Sequence, residues 1–443
     1  MTRETLSPTI PPLGGNSTAT SAQRSQKRKA VTSGALGSAL EWFDFAVYGA
    51  LSATIFPVLF FSGLGEAGAL IASFATFGVG FLARPFGAVI CGHLGDKYGR
   101  RPVLLATFIL MGVSSLAIGL LPANQGVSIA VVLVSLRFLQ GFSLGGEATG
   151  AQLMTLEHAN ANQRGFLGAF INIGSPLSQV LANVTLVILS TSLSEAAFQS
   201  WGWRVPFFMS ILLVIVGIYI RLRLEETPVF REQKASGAES VNGLQVLKTQ
   251  PWTIIKLMLV RAGSNVTFYT ISVFGLNYLT VKAGFSQGTA FTMILVANGI
   301  SVGIGLLGGF VSDRIGRKPV LVIAIVAQLI AVASFFPAAE SGNIFLVVLA
   351  VTVAISGVQF EFGAQPALYA EQFPTNMRFS GSALSLSFSQ VLFSAPAPIV
   401  AAALASTGNV WAIAAINVGV LLMSLLFVRW LHENHKAELG EIR

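Results

Sequence analysis

The sequence is poor in charge, histidine and cysteine. Charged residues make up 10% of its 443 positions, against roughly 25% in an ordinary soluble protein. That deficit speaks against a soluble enzyme, a DNA-binding protein and a disordered chain. A single cysteine, Cys91, excludes an intrachain disulfide and a cysteine-based metal site. Four histidines (His93, His158, His432 and His435) stand at no metal-ligand spacing. A Walker loop, a Ser/His/Asp arrangement and an HExxH motif are all missing. Neither ATP-driven work nor enzyme chemistry is expected, and no cofactor is implied. What the chain has is apolar mass: 53% of its residues are hydrophobic, and Phe alone contributes 33. A membrane-crossing helix takes about 20 apolar residues, so twelve would take about 240, close to the hydrophobic total.

Hydropathy places spans near 35–61, 67–91, 103–121, 127–150, 165–190 and 204–222. A second set lies near 254–280, 288–308, 320–338, 343–368, 380–405 and 409–431. The fold class expected is an all-α integral membrane protein of twelve transmembrane helices. Residues 34–222 and 253–431 form two six-helix bundles, and 223–252 a polar central loop. Residues 1–33, rich in Ser, Thr and Pro with a basic cluster at Arg24–Lys29, read as a disordered cytoplasmic tail. They lack the apolar core of a signal peptide. The cluster either fixes topology or touches anionic lipid. Residues 432–443 read as a short second tail.

The net charge of +8 could point to nucleic acid. Its placement argues otherwise. Twelve spans put the termini, the central loop and the loops after spans 2, 4, 8 and 10 on one side, and that side holds 22 of the 27 basic residues. The opposite loops carry Arg204 and Lys282, and Arg84, Arg137 and Arg261 fall inside spans. The positive-inside rule then places both termini in the cytoplasm. The partners expected are the lipid bilayer, protons and a small-molecule substrate, not nucleic acid. Trp201, Trp203, Trp252, Trp411 and Trp430 stand at span edges, where indole prefers the interface.

The chain also repeats itself. Residues 92–102 read GHLGDKYGRRP and residues 309–319 read GFVSDRIGRKP, an offset of 217. Each segment joins the second and third spans of its half. Glu157 and Arg164 recur as Glu371 and Arg378, and Glu147 recurs as Glu361, at an offset of 214. Two homologous six-span halves of this kind are a transporter signature. In the loops, Gly92, Gly99, Gly309 and Gly316 permit tight turns and close helix approach. Asp96 and Asp313 can accept from backbone donors or Arg at a helix end. Arg100, Arg101, Arg317 and Lys318 can pair with acids of the other half, and with Glu157, Arg164, Glu371 and Arg378 they make a candidate cytoplasmic gate. Topological anchoring would account for the basic residues alone, but not for the paired Asp and Gly at fixed spacing.

GHLGDKYGRR resembles the loop signature of the major facilitator superfamily, and RFLQGFSLGGEATGA (137–151) is similar to its fourth-helix signature. ALEWFDFAVYG (39–49), FGVGFLARPFG (77–87) and WGWRVPF (201–207) resemble the metabolite:proton symporter family within it, whose members carry shikimate, α-ketoglutarate, citrate and proline/betaine. The resemblance covers residues 34–431. It implies alternating access, proton coupling and an inner-membrane location. It also implies a monomer, and links Arg137 to proton transfer. GSPLSQ (174–179) departs from the Gly-rich pattern of drug exporters, and the long C-terminal coiled coil of osmosensing relatives is not expected here.

Ionisable residues inside spans are functional candidates by default, because burying them costs several kcal/mol. Glu41 and Asp44 share a face of span 1, and Tyr48 extends it. Asp44 falls about 15 Å deep. Two close carboxylates repel when both are ionised, which suits reversible protonation. Arg84 stands about 18 Å above the loop on span 2, and Arg137 is mid-span on span 4. Either can hold a substrate carboxylate or pair permanently with an acid. Glu147, and Gln140 two turns away, share a face of span 4. Glu361, flanked by Gln359 and Gln365, is the second-half counterpart, and each Glu is either a gate partner or a proton carrier. Arg261, Asn265 and Tyr269 form a polar stripe on span 7 that lines a cavity or bonds between helices. The proton-coupling set is thus Glu41, Asp44, Arg137 and Glu147. The substrate set is Tyr48, Arg84, Arg137, Gln140, Arg261, Asn265, Tyr269, Glu361 and Gln365. The function expected is proton symport of a small organic acid. A zwitterionic osmolyte such as proline or betaine is the alternative cargo; a solute sensor and an intramembrane enzyme are the rival classes.

Overall fold

The structure, a computed structural model, describes residues 42–98, 100–123, 126–145, 156, 161–222 and 243–439. Side chains at 92, 95–98, 100, 101, 104, 161, 213, 219–222, 243 and 244 lie outside the described set. Twelve helical rods run through these residues. In the first half they are α1 (42–60), α2 (Gly65–Tyr98), α3 (Arg100–Leu120), α4 (Val127–Gly145), α5 (Arg164–Ser192) and α6 (Val205–Leu222). In the second half they are α7 (251–282), α8 (Gln287–Ile315), α9 (Arg317–Glu340), α10 (Ile344–Ala370), α11 (Arg378–Ser406) and α12 (Val410–Val428).

Eight of the rods are long and apolar enough to cross a bilayer. The other four fall short for local reasons. The described part of α1 begins only at Trp42 and turns at Ile55; the apolar stretches of α3 and α6 are shorter; and α7 is broken up by Lys256, Arg261, Asn265 and Asn277, and also carries two π turns, Thr270–Phe274 and Tyr278–Lys282. A third π turn, Gln390–Ser394, interrupts α11. Such turns insert a residue into the hydrogen-bond ladder and cluster at functional sites.

The halves are built alike. α2 packs on α4, and α8 packs on α10. Glycine lets each pair touch backbone to backbone: a Cβ at Gly141 or Gly145 would strike the carbonyl of Gly80 or Arg84, and one at Gly308 or Gly363 would strike that of Phe360 or Gly305. α3 with α6, and α9 with α12, complete each half. The halves meet where α5 packs on α8 and α10, and where α2 packs on α11. Trp201, Trp252, Trp411 and Trp430 are exposed at helix ends, as the interface preference requires. Trp203 differs. It is fully buried against Phe56, Phe60 and Phe207, because the short turn Gly202–Arg204 folds it back on α1.

Candidate functional site

Asp44 is buried inside the first half. One carboxylate oxygen accepts from Ser115 of α3 and the other from Ser210 of α6. Gln140 of α4 donates to the Ser115 hydroxyl at 2.7 Å and accepts from Arg137 Nη1 at 3.1 Å. A continuous chain thus runs Arg137–Gln140–Ser115–Asp44. Among the described residues, no direct ion pair joins its two charges. Arg137 is fully buried, with its guanidinium carbon 3.8 Å from the Phe45 ring centre and 4.2 Å from that of Tyr48. Its Nε and Nη2 have no hydrogen-bond partner among the described residues. Gly80 leaves the space the guanidinium fills: a Cβ there would lie 2.8 Å from Nε. The Tyr48 hydroxyl donates to Thr76 at 2.7 Å.

The second half holds a related cluster. Glu361 of α10 is buried and accepts from the Ser264 hydroxyl of α7, which in turn accepts from Gln328 of α9 at 2.9 Å. Arg261, one turn from Ser264, donates to Gln365, one turn from Glu361, and stacks 3.7 Å from the Phe362 ring centre. Asn265 donates to Ser389 of α11 at 2.9 Å.

Between the halves lies a small cavity of about 20 Å³, room for a water molecule. Its walls are aromatic (Trp42, Phe45, Phe77, Phe268 and Tyr269), with Gln179, Asn183 and Ser272 as polar points. Ser272 belongs to the first π turn of α7. Arg84 reaches from α2 to Gln390, the first residue of the α11 π turn, at 2.7 Å. Its guanidinium carbon lies 4.7 Å from the Trp42 ring and 4.5 Å from the Phe45 ring. Phe45 is therefore the wall shared by the cavity and both arginines.

One end of the molecule is closed by charge. Glu371 at the end of α10 is fully buried and accepts from Arg317 Nε and Nη2 at 3.1 and 2.9 Å, and from Arg164 of the first half at 3.1 Å. Asp313 of α8 accepts from the backbone amides of Gly165 and Phe166 at 2.7 and 2.9 Å, so it caps the start of α5 across the divide. α5 and α8 cross at Gly165 and Gly309, where a Cβ on Gly309 would lie 2.5 Å from the Gly165 carbonyl. The segment after α12 covers this cluster. Glu433 accepts from the amides of Arg317 and Lys318, at 2.9 and 2.8 Å, beside Gly316, whose φ of +98° favours glycine. Asn434 donates to the Glu371 carbonyl, Arg164 to that of Ala437, and Arg378 to those of Leu439 and Ala370. Leu439 packs on Leu156 and Ala370.

The structure thus distributes the residues singled out from sequence. Tyr48, Arg137 and Gln140 join Asp44. Arg261, Glu361 and Gln365 form the second cluster. Arg84 and Asn265 tie α2 and α7 to α11, and Tyr269 lines the cavity. Arg164, Gly309, Asp313, Gly316, Arg317, Glu371 and Arg378 meet at the closed end. Arg317 bonds to acids of its own half rather than the other, because Asp313 is one turn before it and the end of α10 lies alongside; Arg164 makes the crossing instead. Glu41, Gly99, Glu147 and Glu157, and the side chains at Gly92, Asp96, Arg100 and Arg101, lie outside the described residues. Sequence reading missed Ser115, Ser210, Ser264, Gln328, Gln390, the aromatic walls other than Tyr269, and residues 431–439. A glutamine deep in an apolar span, such as Gln328, was a usable signal; serines are too common there to stand out. Among the described residues, no group of His, Cys, Asp and Glu could hold a metal ion.

Residues 34–396 match the Major Facilitator Superfamily. The chain is 34% identical over 416 residues to the inner membrane metabolite transport protein YhjE of Escherichia coli, covering 90% of this chain and 93% of that protein. It is 38% identical to the glycine betaine/proline/ectoine/pipecolic acid transporter OusA of Dickeya dadantii, covering 85% and 77%. Identity to the shikimate transporter of E. coli is 30%, covering 93% and 96%. A D-xylose–proton symporter shares the fold at a TM-score of 0.75 and 18% identity, covering 93% of this chain and 99% of that one.

Proposed function

The chain belongs to the Major Facilitator Superfamily, whose relatives are membrane-spanning metabolite transporters and not enzymes; from that premise we propose that it is a proton symporter of a small organic acid. The observation that carries this reading is the chain Arg137–Gln140–Ser115–Asp44 behind the cavity wall. With Asp44 ionised, the buried acid and the buried arginine balance. Once Asp44 takes a proton, the positive charge of Arg137 is uncompensated one ring away from the cavity. A carboxylate entering the cavity then restores neutrality, so proton and anion favour each other's binding, and the coupling is reciprocal. Arg84, stacked on Trp42 and Phe45, adds to the attraction.

Transport follows by alternating access. The bundles 34–222 and 253–431 rock about the cavity, joined by the loop 223–252. The closed end, rich in basic residues, faces the cytoplasm of the inner membrane with both termini. Opening it separates Arg164 from Glu371 and α5 from Asp313. A second reading, a zwitterionic osmolyte, draws support from the aromatic walls, which suit a quaternary ammonium, and from the likeness to OusA.

The test is uptake into liposomes holding the purified protein under an imposed inward proton gradient, with labelled shikimate, a dicarboxylate and betaine in turn. Accumulation of an organic acid that collapses with an uncoupler supports the first reading, and betaine alone supports the second. Accumulation indifferent to gradient and uncoupler contradicts both.

A further inference from the structure

The two buried clusters are chemically matched, but their charges sit on exchanged helices. In the first half the acid stands on the first helix (Asp44, α1) and the arginine on the fourth (Arg137, α4). In the second half the arginine stands on the first helix (Arg261, α7) and the acid on the fourth (Glu361, α10). In each half a serine hydroxyl donates to the carboxylate, and a glutamine amide donates to that serine: Gln140 to Ser115 to Asp44, and Gln328 to Ser264 to Glu361. In neither half does the acid form an ion pair with a described residue. In both, the arginine donates to a glutamine and stacks on an aromatic ring instead. The sequence repeat pairs Glu361 with Glu147; the hydrogen bonds pair it with Asp44.

Glu361 is 2% exposed. The charged and titratable groups facing it are Arg261 of α7 and Tyr369 of α10 itself, and α9 presents the neutral Gln328. Arg164 of α5, Asp313 of α8 and Arg317 of α9 gather at Glu371, about 15 Å further along α10, while Glu340 at the far end of α9 accepts from Tyr278. A carboxylate buried without a cation in contact is expensive to keep ionised, and a proton removes that cost. The serine hydroxyl serves both states: it donates to the carboxylate, and by rotating it accepts from the carboxylic acid. A permanently ionised structural acid would be expected to bond Arg261 directly, as Glu371 bonds Arg317 at the closed end of the same helix.

We infer that Glu361 is a second proton-binding site, so that each half of the transporter loads its own proton and two move with each substrate. This rests on the symport reading for the transport count, but not for the binding of the proton itself.

Two measurements on the full-length protein in lipid separate these. The first is an infrared pH titration of wild type, Glu361→Gln and Ser264→Ala. The wild-type minus Glu361→Gln difference should hold a protonated-carboxyl band that vanishes as pH rises. In Ser264→Ala, which keeps the acid, that band should shift as its hydroxyl partner is lost. A difference spectrum without a pH-sensitive carboxyl band overturns the site. The second counts protons, with a pH dye inside liposomes, against labelled shikimate or betaine, whichever accumulates. The ratio should fall twofold, from two in wild type to one in Glu361→Gln; a ratio of one in both overturns the inference. Substrate movement with no proton flux in wild type would instead remove the symport reading and the two-proton cycle with it, leaving the infrared result to decide the binding site.

Discussion

Arg137 keeps its charge in an apolar interior without a carboxylate against it. The rings of Phe45 and Tyr48 supply part of what water would have given, on the order of 2 kcal/mol for a desolvated cation–π contact, and Gln140 supplies one hydrogen bond. The position depends on Gly80. An alanine there would press on Arg137 Nε and on Phe45 Cζ, 3.0 Å away, and tilt the wall shared with the cavity. Gly80→Ala should therefore lower initial uptake by about tenfold, equivalent to about 1.4 kcal/mol, while the thermal unfolding midpoint of the purified protein stays near wild type. Wild-type uptake would contradict this role for the site. Asp44, Arg84 and Arg137 were legible in the sequence because each interrupts an apolar run. The partners of Asp44 were not, since Ser115 and Ser210 lie 71 and 166 residues away and serine is ordinary in a span.

The helices start differently at the two ends of the molecule. Away from the closed end, α8, α10 and α12 begin on caps of their own: Ser286, Asn343 and Asn409. At the closed end, α5 and α9 borrow theirs, from Asp313 and from Glu433. A cap contributes about 1 kcal/mol, and more when its charge meets the helix dipole. Opening that end thus strips a cap from α5, which biases the molecule toward closure. Asp313→Ala should speed amide exchange at Gly165 and Phe166 by about tenfold or more, and truncation after Leu431 should do the same at Arg317 and Lys318, as loss of charge-assisted hydrogen bonds of about 1.5–3 kcal/mol requires. Unchanged exchange would contradict the borrowed caps. Hydropathy anticipated the rods because span length is a local property. It could not anticipate the π turns of α7 and α11, nor that residues 431–439 fold onto Glu371 and Arg378 rather than hanging free, because those follow from contacts between distant segments.

At the scale of the whole molecule, one design is used twice. Both halves pack a glycine-lined helix pair, and both bury an acid linked through serine to glutamine; between them lies an aromatic cavity overlooked by arginines. The repeat was legible as GHLGDKYGRRP against GFVSDRIGRKP. The exchange of acid and arginine between first and fourth helices was not, since it shows only once the helices are assembled. In the proposed symport cycle, Asp44 is the group whose proton licenses the anion. Substituting asparagine fixes that site in a neutral state. In liposomes, Asp44→Asn should still exchange labelled for unlabelled substrate across the membrane, because exchange needs no net proton movement. Accumulation driven by a pH gradient should fall well below wild type, since at most the proton bound at Glu361 is left to drive it. Gradient-driven accumulation by Asp44→Asn at the wild-type level would contradict the account.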